Sequence, residues 1–165
     1  MTDEKALLVR FRVWLGLFIV GLVLSGVTAF PLAWEVRILT QYVGPNTAVA
    51  NFYPPLAAWI GTVDVGLQEI QAQQPYLFYG TDWLAFGHLV IAIAFWGPLR
   101  EPVRNKWLID FGMIACVLVI PLAMICGPIR GIPFFWRLID CSFGIVGIVP
   151  LLICKHYIRR LEKLG

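Results

Sequence analysis

The sequence predicts an all-α integral membrane protein, a bundle of four spanning helices with a helical extracytoplasmic cap between the first and second spans. Composition is the first reason, because 59% of the 165 residues are apolar and the mean hydropathy is +0.78, far above what a soluble core requires. Segment length is the second, because four apolar stretches approach the roughly 20 residues that cross a bilayer core of about 30 Å. We therefore treat residues 1–165 as a single transmembrane domain.

The predicted spans cover residues 13–30, 83–96, 107–126 and 137–154. The first follows basic residues, as the apolar part of a signal peptide does. It is too long for that segment, however, and Phe30-Pro31 is a poor start for a small-residue cleavage site. We expect the first span to be retained as a helix.

Basic residues predict the orientation of the bundle, because Lys and Arg are concentrated in cytoplasmic loops. With both termini in the cytoplasm, only Arg37, Arg130 and Arg137 of the 13 Lys and Arg residues lie outside. The cytoplasmic set is Lys5, Arg10, Arg12, Arg100, Arg104, Lys106, Lys155, Arg159, Arg160 and Lys163. We predict a bacterial inner (plasma) membrane. The placement of Lys and Arg on the cytoplasmic side explains the net charge of +3 without nucleic acid as a partner. The basic segment KHYIRRLEK is expected to lie against anionic lipid.

The cap is predicted over residues 31–82 as two helical segments separated by Gly44-Pro45-Asn46. In the second segment, apolar residues recur at steps of three and four, which places one apolar stripe on a helix. Asp64, Gln68 and Gln71 lie opposite this stripe. We expect the cap to lie along the outer membrane surface.

Two segments that connect predicted spans have similar sequences, GPLREPVRNKWLID at residues 97–110 and GPIRGIPFFWRLID at residues 127–140. We call them the first and the second corner. In each copy Gly-Pro is predicted to end a spanning helix, an Arg follows, and Leu-Ile-Asp lies near the start of the next helix. Whether the two corners record an internal duplication, like the inverted repeats of some transporters, is left open by one short matching window.

The two corner aspartates, Asp110 and Asp140, each lie near the start of a span, where an unpaired carboxylate costs a few kcal/mol. We predict structural ion pairs of Arg100 with Asp110 and of Arg130 with Asp140. Arg104 and Arg137 are the alternative partners. Such pairs would fix the two corners of the bundle.

The cysteines show neither a CxxC pair nor the spacing of a zinc site, so no metal site is predicted. They are Cys116, Cys126, Cys141 and Cys154. Cys126 and Cys141 both lie near the outer side, and a disulfide between them is left open. Free thiols packed as small apolar groups are the favoured interpretation.

His88 is the histidine that falls inside a predicted span, and intramembrane ionisable residues are functional candidates. Its predicted neighbours in the outer half of the bundle include Asp82, Arg130, Arg137 and Asp140. These five residues form the candidate ligand-binding site. The cofactor is not identified, although a haem or chlorin held through His88 remains open, since small residues flank the histidine. No catalytic residue can be assigned.

Two function classes fit these observations. The first is a non-catalytic multi-pass membrane subunit or assembly partner of a larger membrane complex, holding a small ligand or cofactor near the outer face. Its partners would be the lipid bilayer and other membrane subunits or further copies of the chain, because small residues in the first and fourth spans let helices approach closely. The alternative is a small transporter or membrane enzyme that uses the His/Asp/Arg cluster.

Overall fold

The computed structural model describes residues 3–164, and the described chain is helical without a β-strand. The helices are α1 (Asp3–Ala29), α2 (Leu32–Val43), α3 (Ala48–Phe52), α4 (Pro54–Gln73), α5 (Tyr79–Ala94), α6 (Trp96–Arg100), α7 (Lys106–Ile129) and α8 (Phe134–Leu161), with a 3₁₀ turn at Pro75–Phe78 before α5. The all-helical prediction is confirmed.

Within residues 3–164, four helical stretches are long and apolar enough to cross a membrane, as predicted. They are Asp3–Ala29, Pro75–Arg100, Lys106–Ile129 and Phe134–Leu161. Each stretch is longer than the apolar segment from which it was predicted. The second differs most, because residues 83–96 are extended by the 3₁₀ turn and by α6. Apolar composition marks the part that lipid would cover, whereas a helix continues into polar sequence until a terminating residue ends it.

The described chain divides into two compact units, which are described separately. The terminal unit contains the described residues up to Leu22 and from Val90 onward, and the central unit contains Val23–Leu89. The division falls within α1 and within α5, so neither boundary is a linker.

The core of the terminal unit joins α1, α7, α8 and the segment around Phe95. Phe11, Leu15, Phe95, Leu108, Ile109, Leu151, Cys154 and Ile158 form one buried cluster. Phe18 packs edge-on against Phe95, with ring centroids 5.0 Å apart. The Cys154 thiol donates to the carbonyl of Phe11 at 3.7 Å. Each helix thus contributes at least one side chain that is removed from solvent, which fixes the mutual position of these elements.

In the central unit, α2 and α3 both pack against α4. Ala33, Ala57 and Ile60 are buried there, in agreement with the apolar stripe predicted on α4. Gln68 lies where the prediction put solvent, but its side-chain amide donates to the carbonyl of Ala33 in α2 at 3.3 Å. The predicted polar face therefore supplies a contact between two helices of the segment 31–82.

The two similar corners end their helices by different means, and neither ends at Gly-Pro as predicted. Gly127 and Pro128 lie inside the last turn of α7. The helix is ended by Gly131, whose φ is +70°. The amide of Ile132 donates to the carbonyl of Gly127 at 2.9 Å, and that of Gly131 donates to the carbonyl of Pro128 at 3.1 Å. This is the Schellman arrangement, in which a residue with positive φ turns the chain back onto the last carbonyls.

The first corner has Glu101 at the position that corresponds to Gly131, so it cannot close in that way without strain. The Asn105 side chain takes over, donating to the carbonyl of Gly97 at 3.2 Å and to that of Glu101 at 3.1 Å. The two corners therefore end their helices differently although their sequences are similar.

Gly131→Ala should lower the free energy of unfolding by about 1 kcal/mol or more, because an L-residue in the left-handed region costs roughly that amount. Gly66→Ala is the matched control. Gly66 lies inside α4 and a Cβ there would meet nothing within 4 Å, so this change should stabilise by about 0.5–1 kcal/mol through helix propensity. Thermal unfolding in one detergent measures both. Equal effects of the two changes would contradict the assigned helix end.

Candidate functional site

The five residues of the predicted ligand site are divided between the two compact units. Asp82 and His88 lie on α5 within the central unit. Arg130, Arg137 and Asp140 belong to the terminal unit. The contacts of each group are established separately, and a pocket formed from all five stays a prediction.

His88 is half-buried and hydrogen-bonded to its own helix. Its Nδ1 lies 2.8 Å from the carbonyl oxygen of Leu84, one turn earlier on α5. Because a carbonyl oxygen can only accept, Nδ1 must carry the proton in this bond. In the neutral ring the lone pair is then on Nε2. This is the state in which a histidine accepts a proton or binds a metal through Nε2.

Gly26 of α1 explains how a second helix comes close to His88 within the central unit. A Cβ at Gly26 would lie 3.0 Å from the carbonyl oxygen of Ala85 and 3.1 Å from Cβ of His88. A glycine therefore allows the α1 backbone to approach the base of the histidine side chain. This is one use of the small residues predicted to mediate helix packing.

Arg137 is held by apolar contacts at the start of α8. Its guanidinium carbon lies 5.1 Å from the ring centroid of Phe134, and its methylene stem occupies the space beside Gly127 that a Cβ would fill. Its Nε is buried without a hydrogen-bond partner. Within residues 3–164, no ion pair of 4 Å or less joins Asp140 to Arg137 or to the predicted partner Arg130.

Asp110 is paired with Lys155 of α8, not with Arg100 as predicted. The Lys155 Nζ to Asp110 Oδ1 distance is 2.6 Å. Arg100 instead places its guanidinium carbon 5.6 Å from the ring centroid of Trp96, while the alternative Arg104 pairs with Glu101 at 3.3 Å. The arginines of the first corner thus interact with residues close to them in sequence, whereas Asp110 of α7 forms its ion pair with a residue of α8.

The corner sequence does not indicate Lys155 as the partner, because Lys155 lies 45 residues after Asp110. A usable signal was present, since α7 and α8 are consecutive helices joined by a short connection. Asp110 precedes this connection by roughly 20 residues and Lys155 follows it by about as many, so at about 1.5 Å per residue both lie at one level of an antiparallel pair.

Further polar contacts gather at the same end of the terminal unit. Lys106 at the start of α7 pairs with Glu162 beyond α8 at 2.7 Å. Arg160 lies 3.9 Å from Asp3 at the start of α1. The Nε of Arg12 donates to the carbonyl of Leu99 at 3.1 Å. The two described chain ends and the first corner therefore meet in one charged region.

The small residues of the chain fall into two groups. Gly112 and Gly144 are packed inside the terminal unit: a Cβ at Gly112 would lie 2.9 Å from both Leu151 and Phe95, and one at Gly144 would overlap the carbonyl of Cys116. Gly16 and Gly21 of α1 are open, since a Cβ at either would meet nothing within 4 Å. Packing within the chain accounts for the first group but not for the second.

All four cysteines, including Cys126 and Cys141, are free thiols in the structure. Across residues 3–164, no three His, Cys, Asp or Glu side chains are grouped so that they could hold a metal ion.

Comparison of the chain with models of known protein families, with curated proteins and with solved structures finds no match.

The Asp110–Lys155 pair can be measured with a double-mutant cycle. Asp110→Asn and Lys155→Met should each destabilise, and their coupling energy should be about 0.5–1 kcal/mol, as for partly exposed pairs. Asp110→Asn with Arg100→Met is the control cycle, and its coupling should be within about 0.3 kcal/mol of zero. Denaturant titration in detergent gives both values. Larger coupling in the control cycle would restore the pairing expected from the corner sequence.

Proposed function

We propose that this protein is a non-catalytic multi-pass membrane subunit, or an assembly partner, of a larger membrane complex. It would lie in the bacterial inner membrane with both termini in the cytoplasm. The segment 31–82 would then form an extracytoplasmic cap.

The observation that carries this proposal is the amount of apolar helix surface that the chain does not bury itself. In none of the four candidate spans is more than 28% of the apolar window buried within the chain, and in Pro75–Arg100 the value is 11%. A water-soluble monomer with such surfaces would aggregate. Lipid can cover most of this area, and the rest is available to another helix.

The exposed face of α1 supports a helix partner in addition to lipid. Gly21, Ser25 and Thr28 recur at steps of four and three residues and are all exposed, so they form one stripe along α1. Lipid-facing positions do not require small side chains, whereas close helix–helix packing in membranes does. The stripe is therefore the surface on which a second membrane subunit, or a second copy of the chain, would pack.

The charged region of the terminal unit supports the proposed orientation. The contacts of Asp3 with Arg160 and of Lys106 with Glu162 bring together three helix ends. Lys106 and Arg160, both assigned to the cytoplasm by the sequence, make these contacts. Arg130 and Arg137, assigned to the outside, lie at the opposite end of the α7–α8 pair. Concentration of Lys and Arg on one side is the pattern that sets orientation in bacterial membranes.

Gly21→Leu should weaken assembly while leaving the fold intact. A leucine on a close-packed interface costs about 1–3 kcal/mol, which is roughly tenfold or more in the association constant. Gly16→Leu is the matched control, because its site is equally open and lies about 140° around the same helix. Native gel electrophoresis after mild detergent extraction measures the fraction of chain in the high-mass complex. A wild-type chain that is monomeric and without partners, or equal losses in both variants, would contradict the proposal.

The alternative function, a small transporter or membrane enzyme that uses the His/Asp/Arg cluster, is favoured by the His88 hydrogen bond. Donation by Nδ1 to Leu84 directs the free lone pair of the neutral ring to Nε2. A histidine so fixed can exchange protons with a substrate, or bind the metal of a haem or chlorin as an axial ligand.

His88→Ala tests the cofactor form of this alternative. If His88 is an axial ligand, the wild-type protein purified from its native membrane should show a visible absorption band, and His88→Ala should lose most of it. His156→Ala is the control, since His156 is exposed near the end of α8 and should leave the band unchanged. A colourless wild-type sample, or a band that survives His88→Ala, would contradict axial ligation.

A further inference from the structure

The Arg12 side chain binds the peptide group that directly precedes Arg100 in the terminal unit. The Arg12 Nε donates to the carbonyl of Leu99 at 3.1 Å, and that carbonyl belongs to the peptide bond linking Leu99 to Arg100. The bond anchors the Arg12 side chain through one of its five N–H donors. Its terminal nitrogens retain the donors that match a phosphate or carboxylate.

Arg100 is held in a different way that leaves its donors free. It lies four residues after Trp96 on α6, and its guanidinium carbon is 5.6 Å from the Trp96 ring centroid. Attraction to the ring face orients the planar guanidinium without using its N–H groups, which lie in its own plane. Both arginine side chains are thus positioned by neutral partners.

The acidic residues around these arginines are engaged elsewhere or stay apart from them. Glu101 pairs with Arg104, Asp110 with Lys155 and Glu162 with Lys106. Asp3 lies near Arg160. In the described chain, Glu4 also makes no ion pair of 4 Å or less with Arg12 or Arg100. The two arginines, one bound to the Leu99 carbonyl and the other next in the chain after Leu99, therefore keep two uncompensated positive charges.

We propose that Arg12 and Arg100, with Trp96 beside them, bind the phosphate of an anionic phospholipid headgroup. Two guanidinium groups can each give paired N–H bonds to the oxygens of one phosphodiester. Trp96 is 58% exposed and lies at the end of the apolar stretch Pro75–Arg100, where tryptophan is enriched at the membrane–water boundary. Its ring would face the glycerol and upper acyl region, which a free phosphate ion lacks. This inference rests on the proposed membrane placement.

The test is lipid retention by the purified protein in detergent. Without a bilayer, general attraction of basic residues to a charged membrane surface does not contribute to the bound lipid. Phosphatidylglycerol or phosphatidylcholine is added at equal concentration, and bound lipid is counted by native mass spectrometry. The wild type should retain phosphatidylglycerol with at least about 25-fold preference, because two basic residues each contribute about fivefold. Arg12→Gln/Arg100→Gln should reduce the preference about fivefold for each arginine removed, the effect expected of one basic residue at an anionic lipid.

Arg159→Gln/Lys163→Gln is the matched control, because it removes the same charge from two exposed residues and should keep the preference. Arg100→Gln alone serves if the double variant does not fold, and should show about half of the loss on a logarithmic scale. An equal loss in the Arg159/Lys163 control, no loss in Arg12→Gln/Arg100→Gln, or displacement of the lipid by millimolar inorganic phosphate would each overturn the lipid site.

Membrane placement is checked separately by washing native membranes with alkaline carbonate. Retention of the wild-type chain in the pellet together with failure of the lipid test would remove the Arg12–Arg100 site alone. Release of the chain into the wash would remove the placement and, with it, the lipid site that depends on it.

Discussion

Backbone contact between α7 and α8 is the constraint on which the terminal unit depends. At Gly144 the backbone of α8 meets the carbonyl of Cys116 in α7, and no side chain larger than hydrogen fits between them. Gly112 gives the corresponding space to Leu151 and Phe95. Because two rigid helices that touch at such points cannot slide past each other without overlap, their register is set. The buried cluster around Phe11 and Phe95 is then filled by residues at fixed levels.

The charged residues follow from that register. Once α7 and α8 are aligned, Asp110 and Lys155 lie at one level and pair at 2.6 Å. The Asp110 carboxylate therefore does not require an arginine of the first corner as its partner. Arg104 turns to Glu101 and Arg100 to the face of Trp96. The positive charge that remains unpaired at Arg100 is thus a consequence of helix packing and not of composition alone. The same net charge with another register would have left a different residue unpaired.

The four apolar helices could be predicted because hydropathy and length act locally and leave a strong signal over about 20 residues. Helix ends were less accessible: Gly131 ends α7 by its positive φ, while the similar first corner depends on the side chain of Asn105. Ion-pair partners were least accessible, since Lys155 lies far from Asp110 in sequence and meets it through tertiary packing. His88 was predicted as an ionisable residue within a span. The hydrogen bond that fixes its tautomer, to Leu84 of its own helix, depends on the side-chain conformation, which the sequence does not determine.

The glycines fall into those required by packing within the chain and those that such packing does not explain. Gly26, Gly112 and Gly144 each adjoin atoms that would collide with a methyl group, so their small size is explained within the chain. Gly21 adjoins no such atoms, and helix propensity alone would favour alanine there by about 1 kcal/mol. Gly21 also lies on one exposed face of α1 with Ser25 and Thr28, and this stripe of small residues is best explained by an external helix. That asymmetry, more than total apolar area, favours an assembled membrane subunit over a helix bundle that meets lipid on every side.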